Sequence, residues 1–111
     1  MTAAEIHSLV RDQIAGRWNE TNGHRVDLKK SIITPAKTKL IHRLVQKGKT
    51  KEEIIDVWIV LEEEPQKKDG YKIVFDEKSR MFGLASVGFP SDPHPCLDGF
   101  YGDFWTAFKG M

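Results

Sequence analysis

The segment from Glu53 to Glu63, "EIIDVWIVLEE", decides the fold, because its side chains alternate as they do along a β-strand. One face of this strand carries Ile55, Val57, Ile59 and Leu61, and the other carries Asp56, Trp58, Val60 and Glu62. The second face is partly polar. The segment therefore predicts a sheet with one well-covered face and one half-solvated face.

Further strands are predicted on both sides of this segment. Upstream, "RVDLKKSIIT" and "KTKLIHRLVQ" are rich in β-branched and aliphatic residues. Between them stands Pro35, which lacks an amide donor and marks a strand end or an edge. Downstream, the polar turn "DEKS" separates "YKIVF" from "RMFGLASVGF". Short polar connections at this spacing predict an antiparallel meander of about four to five strands. The register of the hairpin around Gly48 stays open, since two pairings that differ by one residue both bury apolar side chains.

Helices are predicted at both ends. Near the N-terminus apolar residues recur at helical spacing, and Thr2 with Glu5 forms a capping-box pattern. The tail "LDGFYGDFWTAFKGM" places five of the eleven aromatic residues between Phe100 and Phe108. Its helical stripe comprises Leu97, Phe100, Tyr101, Phe104, Trp105 and Phe108. Asp98 is placed to cap such a helix. An irregular aromatic turn is the alternative.

Together these patterns predict an α+β fold. It has an N-terminal helix, an antiparallel β-meander and a short aromatic C-terminal helix packed on the sheet. With 111 residues, of which 40% are hydrophobic and 30% charged, the chain is expected to form one domain over residues 1–111. The first ten residues lack a signal-peptide pattern, and no apolar run is long enough to span a membrane. Cys96 is the only cysteine, so no internal disulfide can form. A cytoplasmic protein without membrane contact is expected.

Charge is strongly segregated along the chain. Residues 25–51 contain nine Lys or Arg and one acid, a net charge of +8, although the whole chain is +1. A nucleic-acid-binding hairpin over residues 37–51 would use Lys37, Lys39, Arg43, Lys47, Lys49 and Lys51. Alternatively, these cations pair with acids on the following strand, such as Glu52, Glu53 and Asp56. No aromatic residue is interleaved to stack on bases, which disfavours nucleic acid as a partner.

The acidic residues suggest a second surface. A negative patch suited to a basic protein partner would draw on Glu62, Glu63, Glu64, Asp92, Asp98 and Asp103. The alternative, solvated turn residues, stays open. Trp58 and Trp105 are the candidate anchors of such an interface, and each is equally consistent with a place in the core.

The sequence contains no HExxH, CxxC, P-loop or GxSxG arrangement. The closest approach is "DPHPC", in which Asp92, His94 and Cys96 alternate. A proline-rich loop with an incidental histidine and a buried thiol is favoured over metal or thiol chemistry. We therefore expect no enzyme activity, no cofactor and no metal.

Two segments carry a resemblance to a known family. The runs "DVWIVLEEEPQKKDGYKIVFDEKSRMFGLAS" and "GFPSDPHPCLDGFYGDFWTAFKGM", in this order, resemble immunity proteins of bacterial contact-dependent growth inhibition and related polymorphic toxin systems. The resemblance implies a cytoplasmic protein that binds the C-terminal toxin domain of a cognate exoprotein and blocks it, without catalytic residues. The toxins are often nucleases, whose basic active sites call for carboxylates and aromatic residues on the inhibitor. The near-neutral charge of this chain departs from the acidic balance common among nuclease inhibitors.

Overall fold

The structure, a computed structural model, describes residues 1–111. Along the chain the helices and strands are α1 (Ala3–Ile14), α2 (Leu28–Ser31), β1 (Ile32–Gln46), β2 (Lys49–Glu62), β3 (Lys72–Asp76), β4 (Met81–Ser86), β5 (Cys96–Gly102) and α3 (Phe104–Lys109). The predicted α+β architecture is confirmed. None of the three helices combines the length and the apolar character needed to cross a membrane.

The five strands pair in chain order. Each strand is antiparallel to the next, as the meander prediction requires. In addition, β5 returns to β1 through one parallel pair, Ile41 with Cys96. The Ile41 amide donates to the carbonyl oxygen of Pro95 at 2.9 Å. The curled sheet thus closes into a small barrel at a single point.

Two apolar clusters stabilise this barrel. A small one unites buried residues from four successive strands, namely Leu40, Val57, Val74 and Ala85. The larger cluster joins the opposite face of the sheet to α1 and α3. In it the Phe82 ring meets the Phe104 ring edge to face, with centroids 5.9 Å apart. Burial of such aromatic side chains contributes strongly to folding.

The alternation predicted for β2 is correct only in part. Trp58 and Val60 are buried in the helix-side cluster, so the expected half-solvated face is wrong there, because α1 and α3 cover it. A register shift between Ile59 and Leu61 adds one residue to β2. Leu61 therefore packs on the same side as Val60, whereas strict alternation places it opposite.

The segment around Pro35 also differs from the expectation. Asp27 caps a single helical turn, α2, where the sequence suggested strand. From Ile32 onward β1 is continuous, and Pro35 lies buried within it, at a register irregularity between Ile32 and Ala36. A proline is tolerated there because β1 pairs with β5 only at Ile41 and is otherwise an edge strand.

The hairpin between β1 and β2 turns in two residues. Lys47 and Gly48 both have positive φ, 49° and 75°. This is the pattern of a type I′ turn, whose twist matches that of the flanking strands. Gln46 then lies opposite Lys49, which settles the register that the sequence left open.

The tail from Leu97 onward forms a strand as far as Gly102 and a helix from Phe104. The helix predicted to start at Leu97 is therefore wrong for residues 97–102. Its first part forms β5, in which Phe100 lies opposite Gly83 of β4. A Cβ atom at Gly83 would come within 2.9 Å of the Phe100 ring, so glycine permits this close approach. The helical stripe is real only from Phe104. The cap is Asp103, whose carboxylate accepts from the Thr106 amide, while Asp98 lies in β5.

Candidate interaction surface

The strand registers divide the six acidic candidates between the two ends of the barrel. Glu62 lies opposite Lys72, at the end where β2 finishes. Asp103 follows Gly102, which pairs with Phe82 at the other end. The acids therefore do not form one continuous patch.

The three glutamates that end β2 differ in their contacts. Glu62 is buried and forms an ion pair with Lys72, with 3.6 Å between nitrogen and oxygen. Glu63 contacts the His24 imidazole and accepts a hydrogen bond from the Tyr71 amide at 3.3 Å. Glu64 is exposed. Two of the three carboxylates thus serve the fold.

Both candidate tryptophan anchors are held inside the structure. Trp58 is only 9% exposed, and its indole donates to Glu77 at 2.6 Å. Trp105 is half-buried, and its indole donates to the Gln13 carbonyl at 2.8 Å. The Arg17 guanidinium covers its ring at 4.4 Å from the centroid. Both indoles are therefore bonded to groups of the same chain.

Three of the six basic candidates on the hairpin form ion pairs. Lys39 lies 2.9 Å from Asp56, Arg43 lies 3.0 Å from Glu52, and Lys51 lies 3.6 Å from Glu53. The predicted pairing with acids of the neighbouring strand is thus confirmed for Lys39 and Arg43, while the Lys51 pair lies within β2. A hydrogen bond from Lys39 lowers the pKa of Asp56.

The other three candidate cations are placed differently. The ammonium of Lys37 lies 5.2 Å from the centre of the Trp58 ring. Lys47 and Lys49 are exposed near the tip, with no carboxylate within ion-pair distance. Uncompensated positive charge on the hairpin is therefore concentrated at its tip.

The connection between β4 and β5, residues 87–95, is tied to β1 by a polar cluster. Asp92 accepts from the Phe89 amide at 2.7 Å and from the Arg43 guanidinium at 2.7 Å. The same guanidinium donates to the Cys96 sulfur at 2.9 Å. Three prolines, Pro90, Pro93 and Pro95, further restrict the segment. These bonds and prolines restrain the connection.

Charge and burial shift the ionisation of this cluster. The hydrogen bond from Arg43 lowers the pKa of Asp92. Burial raises the pKa of the Cys96 thiol, which stays protonated and of low nucleophilicity at neutral pH. Desolvation also raises the pKa of Asp98, although its side chain reaches the surface and accepts from the Ser86 hydroxyl at 3.0 Å.

Exposed apolar side chains stand on this connection. Phe89 is 68% exposed and Val87 is 54% exposed. The Arg43 guanidinium lies 5.4 Å from the centre of the Phe89 ring. Ser86 pairs with Cys96, which places Asp98 near the start of the same connection. We call Val87, Phe89, Asp92 and Asp98 the connection surface.

The connection surface brings two predicted acidic candidates together with exposed apolar side chains. Asp92 and Asp98 were among the sequence candidates, whereas Val87 and Phe89 were missed. The sequence pattern placed both in the predicted strand "RMFGLASVGF", but β4 ends at Ser86, so they stand exposed on the connection. Beside them is a hollow of about 200 Å³, which Pro93 and His94 help to line.

Comparison with protein-family models, curated proteins and solved structures finds no match to this chain. The structure itself contains no cluster of three or more His, Cys, Asp or Glu side chains that could hold a metal ion.

Proposed function

We propose that this protein is an immunity protein, a stoichiometric inhibitor that binds a cognate toxin domain and covers its active site. It acts in the cytoplasm of the cell that makes the toxin, and the target class is a nuclease. The family resemblance of the second half of the chain supports this role. The connection surface lies within that half.

The observation that carries the proposal is the exposure of Phe89 on a connection that is fixed in place. Burying an exposed aromatic ring against a partner stabilises a complex, and little side-chain or loop entropy is lost when the segment is already ordered. Aromatic residues with a charged neighbour are common at the centre of protein interfaces. Arg43 supplies that neighbour here.

Fewer carboxylates are available to a partner than the sequence suggested. Asp92 is already paired with Arg43, so its charge is compensated within the chain. Asp98 has a hydroxyl partner and no cation, which leaves its charge available to a basic toxin surface. We therefore assign the apolar contact to Phe89 and Val87, and the electrostatic contact to Asp98.

The experiment is a growth test paired with co-purification. The C-terminal domain encoded directly upstream of this gene is expressed alone, with this protein, and with its Phe89→Ser variant. We expect the domain alone to arrest growth, the wild-type protein to restore growth and form a one-to-one complex, and the variant to protect poorly. A harmless upstream domain that forms no complex would refute the proposal.

A further inference from the structure

The long hairpin leaves one strand edge without a neighbour. β2 runs from Lys49 to Glu62, but β3 pairs with it only from Trp58 onward. Residues 49–57 are therefore bonded to β1 on one side and to no strand on the other. No loop or turn donates a backbone hydrogen bond to this stretch either. Such an edge presents alternate N–H and C=O groups that can pair with another strand.

Natural edges are often protected by charged side chains, which discourage pairing with a second copy. The charges on this edge are of both signs. Its first half is basic, with Lys49 and Lys51, and its second half is acidic, with Glu52, Glu53 and Asp56. When two copies of such a segment pair antiparallel, the basic half of each lies beside the acidic half of the other. The edge is therefore complementary to itself.

We propose that the free edge of β2 pairs antiparallel with the same edge of a second copy, forming a two-fold dimer with one sheet continuous through both chains. A two-fold axis normal to the sheet keeps the corresponding faces of the two copies on the same side, so even-numbered residues of one copy oppose even-numbered residues of the other. The best charge match is obtained when the axis passes between the two Glu52 residues. Lys51 of each copy then opposes Glu53 of the other, and Thr50 of each copy opposes Ile54 of the other.

The side chains fit this register. Ile54 is 54% exposed in the isolated chain and would gain an apolar contact with Thr50 of the partner copy. The two Glu52 carboxylates meet at the axis, but each is already ion-paired to Arg43 of its own chain at 3.0 Å. Lys49, which lacks a carboxylate partner, would lie near the acidic half of the other copy. The connection surface is bonded to β1, on the side away from this edge, and stays free.

The first test measures the dimer constant of the full-length protein by sedimentation equilibrium. We expect reversible dimers, and either single reversal, Lys51→Glu or Glu53→Lys, should weaken them about tenfold, because two attractive cross-strand pairs become repulsive. The double reversal should restore the wild-type constant to within about threefold. Lys67→Glu, the same charge change in the exposed loop between β2 and β3 at the far end of the strand, should have no effect and serves as the matched control. Circular dichroism checks the fold of each variant.

The second test is specific to the register and uses a Cys96→Ser background. Cysteine at position 52 lies on the proposed axis, so two copies should form a disulfide on mild oxidation. At position 50 the two cysteines are offset by four residues, about 13 Å along the strands, and should not be linked. A protein that stays monomeric at roughly millimolar concentration, or equal cross-linking at both positions, would overturn the proposal. A different protein that binds the wild type but not the Glu53→Lys variant would show that the edge serves that partner. This result would also overturn the dimer proposal.

Discussion

The guanidinium of Arg43 contacts four groups that come from separate parts of the chain. It donates to Glu52 on β2, to Asp92 in the connection and to the sulfur of Cys96, and it lies beside the Phe89 ring. Only the planar fork of an arginine can serve several acceptors at once in this way. At the residue scale, the order of the connection surface depends on this side chain.

Replacement of Arg43 should loosen the connection. In Arg43→Ala we expect faster amide hydrogen exchange over residues 87–95 and a lower melting temperature, because Asp92 loses its cation while remaining largely shielded from water. The matched control is Lys39→Ala, which removes a hairpin cation whose pair with Asp56 is well exposed. It should leave exchange in the connection unchanged. Equal exchange in both variants would contradict the assignment.

Two aspartates of the connection surface should respond oppositely to pH. The pKa of Asp92 lies below its usual value of 3.8, so its ionised form stabilises the fold at neutral pH, and this stabilisation is lost as the pH falls through the folded-state pKa. The pKa of Asp98 is raised, so ionisation of this group opposes folding once the pH exceeds 3.8.

Melting curves of two asparagine variants test these signs. At pH 7 we expect Asp92→Asn to lower the melting temperature and Asp98→Asn to raise it, since asparagine at position 98 can still accept from Ser86. Both differences should shrink as the pH falls and the wild-type carboxylates become protonated. A shift of the same sign in the two variants would contradict the pKa directions.

At the scale of elements, local hydrogen bonds decide where the tail changes from strand to helix. Asp103→Ala should destabilise the protein by about 1 kcal/mol, because the Thr106 amide loses its acceptor at the start of α3. Asp98→Ala removes the cap that the sequence pattern suggested and should not fray α3. Urea unfolding measures the first effect, and hydrogen exchange in α3 separates the two variants.

The tight turn of the hairpin gives another element-scale prediction. Lys47 adopts φ of 49°, a left-handed conformation that asparagine tolerates better than lysine. Lys47→Asn should therefore raise the free energy of unfolding by a few tenths of a kcal/mol, up to about 1 kcal/mol. Gly48→Ala, at φ of 75°, should lower it by about 1 kcal/mol. Urea unfolding of both variants provides the measurement.

The elements that could be predicted are those with local signals. The capping box of Thr2 and Glu5 and the alternation around Val57 lead directly to α1 and β2. The tail was misassigned because its aromatic spacing suits a helix, while long-range pairing of Phe100 with Gly83 stabilises a strand. The contacts of Asp92 with Arg43 span 49 residues and leave no local pattern. The candidate surface therefore became visible only with the fold.

At the scale of the whole molecule, the two proposed contact surfaces lie on opposite sides of the hairpin. The connection surface stands on the β1 side of the hairpin, and the free edge of β2 lies on the other side. Three cations of the basic segment, Lys39, Arg43 and Lys51, are ion-paired within the chain, so the charge of +8 overstates the field that a partner would meet. The two proposed contacts therefore do not compete for the same surface.

The proposed inhibition is tested most directly by calorimetric titration of the C-terminal domain encoded directly upstream, the proposed toxin, with purified wild-type protein, Phe89→Ser and Val45→Ser. Val45 is an exposed apolar residue near the tip of the hairpin and outside the connection surface, which makes it the matched control. We predict one-to-one binding that Phe89→Ser weakens at least tenfold, about 1.4 kcal/mol, while Val45→Ser leaves it unchanged. Binding that is absent, or equally strong in all three proteins, would contradict the account.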